Sequence, residues 1–176
     1  MFFLRIISIF TRFNKRYFST MQRIAVFPGS FDPFTLGHKA IVEEAIDLFD
    51  RIIIGVGYNN EKRGLVAPQK RVRLIEDVFQ GNDKIEVKMY RGLTADFCRE
   101  CGATFLLRGV RNAVDFEYEH NMQLINERLY PELTTVLFFT PPRYAAISSS
   151  IVRELVYFGG DPTQFMPEEI DLKEYL

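Results

Sequence analysis

From Met21 onward the chain alternates between two hydrophobic rhythms. Residues 23–27 form a short apolar run ending at Pro28 and Gly29. Residues 36–49 then set Ala40, Ile41, Ala45, Ile46, Leu48 and Phe49 at helical spacing. Residues 51–56 are continuously apolar and β-branched, as in a parallel strand buried on both faces. A polar stretch with Gly and paired Asn, 57–66, reads as a loop, and 68–79 as a helix with Pro68 in its first turn. The alternation continues with a strand over 85–90, a helix over 93–101 closed by Gly102, and a strand over 104–108. A helix over 115–129, a strand over 134–140 and a serine-capped helix over 148–158 follow, with one more short helix over 167–176. Strand–helix alternation repeated five times predicts an α/β fold. It is a five-stranded parallel sheet flanked by helices, with right-handed crossovers and no break that would divide it.

Composition narrows this little: 176 residues, 47% hydrophobic and 26% charged, are ordinary for one globular domain. Charge tells more. Residues 1–20 carry Arg5, Arg12, Lys15 and Arg16 without one acid; the remaining 18 basic residues face 23 acidic ones, a net of −5. A body of that sign argues against nucleic acid as the main partner. No apolar run reaches the roughly 18 residues that span a bilayer, so no membrane role is expected. The aromatic, basic segment 1–20 is either a targeting leader or an extension that is disordered or precedes an internal start at Met21, and the second reading is favoured. The domain is therefore counted over 21–176. Cys98 and Cys101 form a CxxC pair, open to a redox or half-zinc reading. A redox pair belongs at the start of a helix, whereas these stand at the end of one, and neither His38 nor His120 has zinc-site spacing to them. Two small residues on an amphipathic helix is the preferred reading, and no metal ligands are expected. His120 reads as a residue of the helix surface or of an interface.

In parallel α/β sheets ligands bind beyond the carboxyl ends of the strands. After the first strand, PGSFDPFTLGHKA offers the hydroxyls of Ser30 and Thr35, with Gly37 and His38 in a helix's first turn, where unpaired N–H groups attract phosphate. It matches neither GxGxxG nor GxxxxGK[ST]. GYNNEKRG after the second strand carries Lys62 and Arg63 and reads by itself as a solvated loop; Thr94 follows the third strand in a stretch that is uninformative alone. RGVRN after the fourth holds Arg108 and Arg111, two guanidiniums suited to bidentate phosphate contact or to a salt-bridged pair. After the fifth, YAAISSS leads into a helix: a second anion cradle, or simple capping. Five consecutive strand ends carrying phosphate-suited groups point to a highly phosphorylated ligand.

PGSFDPFTLGH resembles the signature of nucleotidyltransferases with an HxGH-type motif, here beginning at Thr35. Together with Lys62, RGVRN…FEYE over 108–119 and ISSS over 147–150, it is similar to bacterial phosphopantetheine adenylyltransferases in order and without large gaps. The resemblance implies a Rossmann-like fold and the joining of 4′-phosphopantetheine to ATP, giving dephospho-coenzyme A and pyrophosphate, the penultimate step of coenzyme A synthesis. It also implies Mg²⁺ with ATP, a homohexamer and a cytoplasmic enzyme. Carried over by position, Ser30, Lys62, Thr94 and Arg108 would contact phosphopantetheine. Ser30, Phe31, His38, Gly109, Val110, Arg111, Glu119, Tyr144, Ala145, Ala146, Ile147, Ser148, Ser149 and Ser150 would hold ATP. His38, Lys62 and Arg111 would serve catalysis. Alternatives are an adenylyltransferase for nicotinate mononucleotide, a cytidylyltransferase for a sugar- or alcohol-phosphate, a non-catalytic ATP-binding or AMP-sensing module, and a redox module.

Overall fold

The computed structural model describes residues 22–59 and 64–176; the segment 1–20 and Lys62 lie outside them. Five strands, β1 (Ile24–Gly29), β2 (Arg51–Gly57), β3 (Ile85–Tyr90), β4 (Phe105–Val110) and β5 (Thr134–Phe139), pair in parallel in the order β3-β2-β1-β4-β5. Five α-helices connect and follow them: α1 (Leu36–Ala45), α2 (Pro68–Val78), α3 (Thr94–Glu100), α4 (Ala113–Leu129) and α5 (Ser149–Tyr157). The predicted α/β class and the five parallel strands are those observed. Strand order reverses direction between β1 and β4, and such a switch point opens a crevice above the sheet.

Alternation along the strands divides the core. Ala25, Phe27, Ile52, Ile54 and Leu107 face a layer built with α1, α2 and α5. Ile24, Val26, Ile53 and Leu106 face Phe97 and Cys98 of α3. Both faces of β2 are covered, so Ile52, Ile53 and Ile54 are all fully buried, each worth about 1.5–3 kcal/mol. Among the described residues no helix is long and apolar enough to cross a membrane.

Several boundaries shift. β1 runs two residues past Phe27, with Pro28 opposite Gly55 and Gly29 opposite Val56. β4 begins at Phe105 and runs to Val110, so Arg108 and Gly109 stand inside the strand, opposite Leu137 and Phe138, not after it. The ladder tolerates Arg108 because its charge is met by Glu119, as described below. α1 stops at Ala45: Leu48 is exposed and Phe49 buried, and Asp50 accepts from the backbone N–H of Arg23 at 2.8 Å to start β2. α4 starts at Ala113, capped by Asn112, whose side chain accepts from Asp115 N–H. Within 167–176 only a 3₁₀ turn forms, Leu172–Tyr175.

Candidate active site

β1 ends in a turn of unusual backbone. Phe31 has φ of 46°, rare for a non-glycine residue, yet its ring is 2% exposed. The ring packs at 5.4 Å from both Phe27 and Phe34 and edge-on to His38 at 5.1 Å. Burial offsets a strain of roughly 1–3 kcal/mol. The turn also needs Gly29, since a Cβ there would stand 2.8 Å from the Phe31 ring. Its product is a fixed presentation of Ser30 and of the first turn of α1.

His38 sits in that first turn, half-buried among the three phenylalanines. The backbone N–H of Thr35 donates to its Nδ1 at 3.0 Å. A nitrogen that accepts has its lone pair free, so the neutral ring carries its proton on Nε2. Burial, then the charges of Arg111 and Arg108, lower the His38 pKa to about 4. At neutral pH the ring is an uncharged N–H donor.

Above this turn a cleft of about 420 Å³ opens at the switch point. It is lined by Ser30, Phe31 and His38 from the β1 side, by Arg108 and Gly109 of β4 and Arg111 just after it, and by Asp115, Tyr118 and Glu119 from α4. Ile147, Ser148, Ser149, Ser150 and Arg153 close it at the start of α5. Arg108 donates through Nε and Nη2 to Glu119 at 2.6 and 2.5 Å and through Nη1 to the Pro28 carbonyl at 2.9 Å. Arg111 is paired with Asp115 at 2.8 Å. Ser148 caps α5, and Ser149 donates to the Pro33 carbonyl at 2.8 Å. Arg153 donates to the Asp32 carbonyl at 2.8 Å and to the Ser150 hydroxyl at 2.9 Å. Arg108 and Arg111 are thus ion-paired and Ser148 is a cap, and all of these residues also line the cleft.

A buried pair supports the floor. Asp32 accepts from the N–H groups of Leu65 and Val66 at 3.0 and 2.8 Å and faces Arg71 at 3.2 Å; both residues are 6% exposed. Arg71 donates on to the carbonyls of Val66 and Ser30 at 2.7 and 3.0 Å. Packing is tight enough that a Cβ on Gly64 would lie 2.0 Å from Arg71 Nη2 and 2.7 Å from Asp32 Oδ2.

The expected site residues do not all converge. Val110 is buried outside the cleft lining, as its position inside β4 dictates. Tyr144 lies in the 3₁₀ turn Pro142–Tyr144, with Ala145 and Ala146 beyond it, and none of the three lines the cleft. Thr94 opens α3 at the far side of the sheet's order, 3.1 Å from the Tyr90 hydroxyl, and is not part of the lining either. Lys62 belongs to the segment outside the described residues.

The family model described as cytidylyltransferase-like matches residues 26–155. The phosphopantetheine adenylyltransferase of Cytophaga hutchinsonii is 45% identical over 150 residues, covering 85% of this chain and 100% of that one. The chain belongs to the phosphopantetheine adenylyltransferase family. Other relatives of that name are those of Bacteroides thetaiotaomicron, 43% identical over 86% of this chain and 99% of its own, and Leptospira biflexa, 42% identical over 85% and 94%. Among solved structures, the bifunctional NMN adenylyltransferase/ADP ribose pyrophosphatase from Francisella tularensis aligns with a TM-score of 0.67 at 18% identity, covering 87% of this chain and 47% of that one. A candidate nicotinate-nucleotide adenylyltransferase from Vibrio parahaemolyticus aligns with a TM-score of 0.63 at 17% identity, over 84% and 88%. At that identity the two structures speak for the Rossmann-like fold alone.

Sequence reasoning passed over Asp32, Arg71, Asp115, Tyr118 and Arg153. One had a visible signal: Arg71 falls on the stripe shared with Leu74, Ile75 and Val78, the buried face of α2, where a charge demands a partner. The CxxC pair gives no site. Cys98 is fully buried in α3, and burial pushes its thiol up to about 12; burial raises Cys101 also. Among the described residues no cluster of three or more His, Cys, Asp or Glu could hold a metal ion.

Proposed function

We propose that this protein is an adenylyltransferase that joins 4′-phosphopantetheine to ATP, forming dephospho-coenzyme A and releasing pyrophosphate. The carrying observation is membership of the phosphopantetheine adenylyltransferase family along the whole domain. The cleft's chemistry suits the reaction. A phosphate monoester oxygen of the acceptor attacks the α-phosphorus of ATP, the bond from that phosphorus to the bridging oxygen breaks, and pyrophosphate leaves with the electron pair. The nucleophile is already anionic, so no general base is required, and catalysis rests on in-line positioning and charge stabilisation.

In this reading His38 donates its Nε2–H to the α-phosphate, together with Lys62. Arg108 and Ser30 orient the acceptor. Arg111 and the start of α5, with Ser148, Ser149 and Ser150, receive the β- and γ-phosphates. Phe31, Gly109 and Ile147 border the nucleotide; Val110, Tyr144, Ala145 and Ala146 contribute through backbone and spacing. Thr94 serves the acceptor's distal arm. Mg²⁺ enters as the counter-ion of ATP: the cleft carboxylates Asp115 and Glu119 are each engaged by an arginine, so the described residues form no metal cage of their own and no step is assigned to the ion.

A hexamer is likewise part of the proposal. Exposed Val114, Phe116, Leu124, Ile125 and Leu129 on α4 support burial against another copy, and light scattering after gel filtration reads the mass directly. A cytoplasmic location follows from the resemblance alone and is checked by cell fractionation. The decisive experiment offers ATP and Mg²⁺ with 4′-phosphopantetheine, nicotinate mononucleotide or glycerol 3-phosphate and follows pyrophosphate. Release with phosphopantetheine alone, with dephospho-coenzyme A seen by mass, is the expected result. Release with another acceptor discards this substrate; ATP binding without release indicates a non-catalytic module.

A further inference from the structure

Two carboxylates one turn apart on α4, Asp115 and Glu119, each grip one guanidinium of the cleft. The grips have the same geometry. Arg108 gives Nε to Glu119 Oε2 and Nη2 to Oε1, at 2.6 and 2.5 Å. Arg111 gives Nε to Asp115 Oδ2 and Nη2 to Oδ1, at 2.8 and 3.2 Å, and its backbone N–H also reaches Oδ2 at 3.1 Å. In both cases the Nε–Nη2 edge is occupied. A guanidinium has five N–H donors; Arg108 also spends one Nη1 hydrogen on the Pro28 carbonyl at 2.9 Å, so after its three bonds Nη1 and Nη2 keep one hydrogen each, enough for a phosphate contact from each nitrogen. Glu119 is 6% exposed, and each of its carboxylate oxygens accepts from Arg108, so its charge is met inside the protein.

We infer that Asp115 and Glu119 are positioning residues: α4 holds the two arginine forks at a fixed spacing with their Nη edges toward the cleft, and Glu119 acts on substrate through Arg108. This rests on the proposed function for the identity of the ligands. It reassigns Glu119 from direct nucleotide contact, and it adds Asp115 as the partner that orients Arg111. The capped start of α4, with Asn112 accepting from Asp115 N–H at 2.9 Å, ties the spacing of the forks to the helix itself.

The test compares Glu119→Gln and Asp115→Asn with the wild type in two readouts: KM for each substrate, and ATP affinity by calorimetry. Glu119→Gln raises the KM for 4′-phosphopantetheine by about tenfold, the scale of one charge-assisted hydrogen bond, and leaves that for ATP within about twofold. Asp115→Asn weakens ATP binding by about tenfold. Combined with Arg108→Gln or Arg111→Gln respectively, each carboxylate change adds nothing further. A KM change for ATP alone in Glu119→Gln, additive losses in the doubles, or tighter ATP binding by Asp115→Asn would overturn the assignment. Tighter binding would mean the carboxylate merely competes with phosphate. If Glu119→Gln does not fold, the half-buried Asp115→Asn still decides. If the wild type turns over no phosphopantetheine, the functional reading fails while calorimetry with ATP continues to test the forks.

Discussion

The backbone N–H of Thr35 donates to Nδ1 of His38 at 3.0 Å, so the side chain offers Nε2–H and not a lone pair to the cleft. Burial and two flanking arginines hold the ring neutral, with a pKa of about 4. In the ligand-free protein, His38 ring resonances should report the neutral Nε2–H form from pH 8 down to about pH 4.5. A midpoint near pH 6.5 would sink this. Stability follows the same linkage. Below about pH 6.5 the unfolded chain takes up a proton that the folded state refuses until about pH 4. His38 therefore costs stability progressively as pH falls through that window, and nothing more below it. The urea midpoint of wild type should fall relative to that of His38→Gln as pH drops from 7 to 4.

A donor aimed at the α-phosphate matters most when charge builds there. His38→Ala should lower kcat by roughly 10²-fold or more. Steady-state pyrophosphate release measures this, and full activity would refute the role. Lys62→Ala should depress both turnover and acceptor binding in the same assay.

Removing one partner of a buried ion pair strands the other. Asp32→Asn or Arg71→Met should each cost about 3–5 kcal/mol in chemical denaturation, and the double replacement less than the sum. Gly64→Ala should destabilise as well, because its Cβ would stand 2.0 Å from Arg71 Nη2. Wild-type midpoints in these variants would show the pair to be idle.

Cys98 should stay unmodified by iodoacetamide in the native protein at pH 8, since its thiol is buried and shifted to about 12. Replacing Cys98 with Ala and Cys101 with Ser should leave kcat/KM within about threefold, as for residues remote from the cleft. A large loss would return the redox and metal readings to consideration.

The fold was legible because the strands carry clear signals: 51–56, continuously apolar, could be little else than a two-face-buried parallel strand, and β2 is that, while 85–90 alternates as a strand and forms β3. The end of β4 was not, because Arg108 and Gly109 interrupt the apolar signal while the backbone ladder continues beneath them. Helix starts were readable at Pro68 and Ser148, whose cap chemistry is local. The buried pair was hidden for the opposite reason: Asp32 and Arg71 are 39 positions apart, and only folding brings them within 3.2 Å. Motifs at five strand ends pointed to one ligand, and three of those ends, β1, β4 and β5, meet in the cleft. Strand order decides that grouping, and hydrophobic periodicity carries no information on strand order.

The rim of the cleft is sewn to its floor by contacts between distant parts of the chain: Ser149 to Pro33, 116 residues apart, and Arg153 to Asp32, 121 apart. Synthesis runs from one end. At about 5–20 residues per second, a ribosome takes roughly 6–25 seconds to travel from the first of these partners to the second. For that interval the nascent chain holds His38 without the serines that complete the enclosure, and both arginines join it only over the last third. A polypeptide released early, short of α5, would keep most of the sheet yet lack the wall facing His38. Turnover is therefore expected only of chains translated through α5.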